Sequence, residues 1–107
     1  MPLQRQDVVR AFAAADEPLV IRLDLSDADP KAPLEVIFVP EREDVPEPPF
    51  ELNVFDTVEA ADMQAESMEM VAVEGTDFVV WKNIVLVLGP SLSDQRRGRL
   101  VDTLESL

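Results

Sequence analysis

Apolar residues recur along this chain at two alternating periods, and each change of period marks a predicted element. From Leu3 to Ala15, Val8, Val9, Phe12 and Ala15 fall at helical spacing among alanines, and Pro18 marks the stop. Leu19–Leu25 is rich in branched residues: Leu19, Ile21, Leu23 and Leu25 face one way, Val20, Arg22 and Asp24 the other. That pattern predicts a half-buried strand. Ser26–Pro33 is turn chemistry throughout, and Leu34–Val39 is a second strand closed by Pro40. Phe50, Leu52 and Val54 share one face of a third strand, Phe50–Phe55. Asp56 or Thr57 is placed to cap a helix running from Val58 to about Glu66, with Val58, Ala61, Met63, Ala65 and Met68 on its apolar side. Met68–Val73 fits a continuing helix or a strand; Val71 and Val73 favour the strand, with Gly75 making the turn.

The strongest signal is Asp77–Leu88, where two apolar runs flank Lys82-Asn83. Asparagine tolerates left-handed backbone, so a two-residue hairpin turn fits. Runs this apolar belong at the centre of a sheet, with little water on either face. Gly89-Pro90 ends the hairpin, and Ser91 or Ser93 caps a last helix, Asp94 being placed to complete a capping box from Ser91. Leu100, Val101, Leu104 and Leu107 form its buried stripe, which Gly98 weakens by about 1 kcal/mol relative to alanine.

Antiparallel neighbours dominate this order, and helices interrupt it without regular strand–helix alternation. The fold class it predicts is α+β: a two-layer sandwich with a largely antiparallel sheet of five or six strands and about three helices on one face. The 107 residues make one domain, 1–107. Within it Glu41–Pro49 carries Pro46, Pro48 and Pro49, which forbid a helix or a central strand, so it reads as an exposed, partly stiff acidic loop.

Charge changes the picture next. Twenty-two acidic residues against nine basic ones leave a net −13. That excess opposes nucleic acid, whose phosphates need cations, and docking on an anionic membrane. It permits a basic protein partner, divalent cations or high ambient salt. Lysine is confined to Lys31 and Lys82, which salt adaptation and a GC-rich genome both explain.

Missing residue types remove much chemistry. There is no cysteine, histidine or tyrosine, so disulfides, thiol nucleophiles, zinc fingers and imidazole acid–base catalysis are excluded. With three glycines there is no phosphate-cradling loop, and no nucleophile-elbow, P-loop or dinucleotide motif is present. The expectation is a non-enzymatic domain that needs no cofactor. The N-terminus lacks the pattern of a signal peptide, and the longest apolar stretches, Phe78–Trp81 and Ile84–Leu88, are too short to span a bilayer, so a cytoplasmic location is expected.

Five candidate surfaces remain. Asp24, Asp27 and Asp29 bunch oxygen ligands in one loop, the weak candidates for a metal, but neither register supplies the glycine and closing glutamate of a helix–loop–helix calcium site. A strand-ending turn bonded to local backbone explains them as well. Glu41, Glu43, Asp44 and Glu47, with Glu51 beyond, form either a solvated loop or a docking strip for a cationic partner. Arg96, Arg97 and Arg99 crowd the start of the last helix, the end its dipole disfavours for cations. Arg97 can pair with Asp94 and Arg99 with Asp102 inside the helix; otherwise the cluster suits an anion or the acidic loop of a second copy. Met63, Met68 and Met70 suit core filling or an adaptable binding surface, and Trp81 suits sheet packing or an interface anchor. The leading expectation is a protein–protein interaction module or complex subunit with a basic protein partner. A domain binding a small ligand or divalent cation, and a self-associating domain forming a homodimer, are the alternatives.

Overall fold

A computed structural model describes residues 3–25 and 33–107. The chain runs α1 (Arg5–Ala14), β1 (Leu19–Asp24), β2 (Leu34–Pro40), a single 3₁₀ turn at Glu41–Glu43, β3 (Phe50–Phe55), α2 (Val58–Val71), β4 (Asp77–Trp81), β5 (Ile84–Leu88) and α3 (Asp94–Glu105). The five strands form one antiparallel sheet in the order β1-β2-β3-β5-β4. The class is therefore α+β with three helices, as the pattern of periods predicts.

The pleat assigns the helices to faces. Val36, Phe38, Phe50, Leu52, Val54, Ile84, Leu86 and Leu88 point to one side, where Val8 and Phe12 of α1 and Leu100 and Leu104 of α3 complete the main core. The alternate positions Phe55 and Val85, with Leu34, Phe78 and Val87, point to the other side and meet Ala60, Ala61, Ala65 and Met68 of α2. The expectation of all three helices on one face thus holds for α1 and α3, while α2 covers the reverse. The reason is that β3 and β5 are apolar on both faces, so each face needs a cover. Alanines at the contact let α2 lie close to the sheet.

Several local readings are corrected. Met68–Val71 continues α2 instead of forming a strand, so the sheet has five strands. Both states were open to these residues, and the turn at Gly75 (φ 89°) comes after the helix has already ended. In β1 the pairing register shifts between Ile21 and Leu23, so Leu23 opposes Ile37 and no longer shares a face with Ile21, which opposes Phe38. Such a bulge bends and shields an edge strand. The Lys82-Asn83 hairpin forms, but Lys82 takes the left-handed backbone (φ 54°). The expectation of a central hairpin holds for β5 alone: β4 is the edge strand, paired on one side only, and none of its residues is fully buried. Asn83 is buried, and its side chain binds the main chain of Leu3 and Phe55. Thr57 caps α2 and Ser93 caps α3, so Asp94 is the first helical residue and the box expected from Ser91 does not form. Of the predicted turn at 26–33, only Pro33 lies among the described residues.

Candidate functional site

The α3 arginines meet their carboxylates at one end of the sheet, and local structure aims Glu17 and Arg96. At the end of α1 the Glu17 N–H donates to the Phe12 carbonyl at 2.8 Å and the Asp16 N–H to the Ala13 carbonyl at 3.1 Å, with Asp16 in the left-handed region (φ 63°). This αL cap turns the chain so that Glu17 points inward before Pro18. At the start of α3 the Ser93 hydroxyl accepts from the Arg96 N–H at 3.2 Å. Arg96 then donates from Nε and Nη2 to the two oxygens of Glu17, both at 2.9 Å, and from Nη2 to Glu43 at 2.6 Å. Its guanidinium also lies 5.5 Å from the Phe50 ring centre. Hydrogen bonding to Glu17 and then to Glu43, opposed by partial burial, holds the Arg96 guanidinium above its ordinary range. Arg99 stands 3.7 Å from Glu17, and Arg42 donates to Asp16 at 3.3 Å. A notch of about 440 Å³ bounded by Asp16, Glu17, Arg42, Glu43, Arg96 and Arg99 is thus neutralised by its own lining, three acids against three bases.

The arginines therefore pair across elements, and not within α3 as local spacing suggests. Arg97 reaches Asp77 at the start of β4. Its Nη2 also donates to the Gly89 carbonyl at 2.7 Å and the Gly75 carbonyl at 3.3 Å. These glycines sit where chains approach closely: a Cβ on Gly89 would lie 2.9 Å from the Pro49 carbonyl oxygen, and one on Gly75 would lie 3.0 Å from Pro90 Cβ. The Gly89 N–H donates to that Pro49 oxygen at 2.9 Å. Between the two contacts runs a groove of about 570 Å³. Val73, Val87 and Pro90 supply the apolar side chains of its lining, Phe50 itself facing the main core, and Glu47 and Glu51 are the charged residues among the described ones that line it.

The acidic loop is exposed, as expected, but tethered. Its Glu41 N–H donates to the Pro18 carbonyl at 2.8 Å, and Arg22 donates to the Pro46 carbonyl at 3.0 Å. Glu43 is engaged by Arg96; Glu41, Asp44 and Glu47 face solvent, and Glu47 borders the groove. Trp81 is half-buried and donates from Nε1 to the Leu107 carbonyl at 3.0 Å, beside Lys82, which donates to the same oxygen. Asp24 accepts from Arg5 at 2.8 Å, and Asp27 and Asp29 lie outside the described residues. Among the described residues no group of three or more carboxylates is arranged to hold a metal ion, and every buried side-chain polar atom has a hydrogen-bond partner. No described helix is long and apolar enough to cross a membrane.

The methionines divide: Met68 packs against the sheet, whereas Met63, expected with Val58 on the apolar side of α2, and Met70 lie open, because only the helix face carrying Ala61, Ala65 and Met68 meets the strands. Met63, Met70, Val71 and Val73 are 69, 86, 83 and 73% exposed on the outer side of α2 and just beyond it. Glu59, Asp62, Glu66, Glu69 and Glu74 interleave them. The signal was present in the sequence: residues 43–81 hold eleven of the 22 acids and none of the nine bases. No family model, no curated protein and no solved structure matches the chain, so the functional reading rests on the geometry of its own residues.

Proposed function

We propose that this chain is a non-enzymatic interaction module that takes a basic protein partner on the α2 side of its sheet. The observation that carries the reading is the exposure of Met63, Met70, Val71 and Val73 within a purely acidic segment. Exposed apolar residues rimmed by charge mark binding surfaces, and methionine adapts its shape to a partner. The acidic rim selects for cations and speeds their approach. The basic end of α3 supports the same reading by default, because Arg96 and Arg97 are engaged within the chain. A second copy is a poor occupant, since two chains of net −13 repel.

The test is affinity capture at low and high salt, comparing the native chain with a variant carrying Met63→Ser, Met70→Ser, Glu59→Gln and Glu66→Gln. One basic protein in stoichiometric amount, released by salt and lost from the variant, is the expected result. Equal capture by the two chains would remove the reading.

A further inference from the structure

We propose that the groove between residues 47–51 and 73–76 holds an apolar side chain of the protein partner together with an adjacent lysine or arginine. The inference deepens the proposed interaction role and rests on it. The groove is built before any partner arrives. Gly89 lets the Pro48–Phe50 wall close onto the end of β5, and Gly75 lets the turn after α2 close onto Pro90. Arg97 ties both glycine carbonyls from behind, and its remaining charge is met by Asp77. Walls fixed in this way leave little ordering cost for binding.

The lining then selects the occupant. Val73, Val87 and Pro90 offer apolar surface, and Val73 remains largely open to water. Glu47 and Glu51 border it with no base among the lining residues. An apolar side chain covers the floor, and a neighbouring cation satisfies the two carboxylates. Nucleic acid and anionic lipid are repelled by the same carboxylates. The open floor suits a segment laid across it, because a small molecule there would stay largely wet.

The experiment uses a fluorescent peptide of alternating lysine and leucine, titrated by anisotropy into the full chain, with polylysine as the charge-only control. Binding of the mixed peptide is expected to exceed that of polylysine and to fall with salt. Val73→Ser and the Glu47→Gln/Glu51→Gln pair should each weaken it by about tenfold. In amide NMR spectra the peptide should shift residues 47–51, 73–76 and 87–90. Equal binding of polylysine, unaltered binding by the groove variants, or no binding at all would overturn the proposal. Peptide binding lost through Met63→Ser/Met70→Ser but kept by the groove variants would overturn the groove alone and leave the interaction role standing. Failure of the peptide together with equal capture in the preceding test would end both.

Discussion

Arg96 and Glu17 meet through two parallel hydrogen bonds of 2.9 Å although 79 positions separate them. Glu17 is buried and Arg96 only partly exposed, so the pair joins the end of α1 to the start of α3 in a region that water reaches poorly. Such a pair contributes little compared with apolar packing, but removing one partner strands the other charge.

Arg96→Met is therefore expected to destabilise the chain by about 2–3 kcal/mol in urea denaturation, because buried Glu17 loses both of its short hydrogen bonds and keeps only Arg99 at 3.7 Å. Glu17→Gln combined with Arg96→Met should recover part of that loss. Strictly additive losses from the two changes would show that the residues do not act as a pair.

Gly98 lies inside α3 with nothing within 4 Å of the position its Cβ would take, and its backbone is not left-handed. Gly98→Ala should stabilise the fold by about 1 kcal/mol through helix propensity. For a chain of this size that is a Tm rise of roughly 4–8 °C in a thermal scan. A lower Tm would mean that the α3 surface at this point is not free.

Asn83 accepts from the Leu3 N–H at 2.6 Å and donates to the Phe55 carbonyl at 2.8 Å and the Leu3 carbonyl at 3.2 Å. It thereby fastens the segment before α1 to the sheet from a buried position. Asn83→Ala should cost about 1–3 kcal/mol, read as a lower urea midpoint at unchanged slope. A loss within the error of the midpoint would show that water replaces these bonds.

Salt should stabilise the native state. The net charge of −13 makes compaction unfavourable, and the Debye length falls from about 30 Å at 10 mM to about 3 Å at 1 M. The half-buried Arg96 pairs are screened less than the exposed acids of α2. Tm is expected to rise steadily with sodium chloride. A steady fall would assign the stability to ion pairs instead of apolar burial.

Each strand found in the structure and both capped helix starts were legible in the chain, because their signals are local. Alternation in Phe50–Phe55 and the apolar runs around Lys82-Asn83 mark where strands lie, while their burial follows from position in the sheet: β3 is buried on both faces and β4, at the edge, fully on neither. Met68–Val71 was not legible, since valine and methionine fit both states and its surroundings decide. The groove was hidden for a similar reason: Gly75 and Gly89 read as turn residues, and nothing local says that their carbonyls converge on Arg97.

By itself the amino-acid sequence determined the element order, the α+β class, the acidic character and the absence of thiol, imidazole and phenol chemistry. Tertiary structure alone decided which carboxylates the arginines meet, which face α2 covers, and where the apolar groove opens. The physical reason is reach. Periodicity is set between near neighbours in the chain, whereas a long arginine side chain pairs with whichever carboxylate the fold brings near, and only the assembled sheet brings Glu17, Glu43 and Asp77 there.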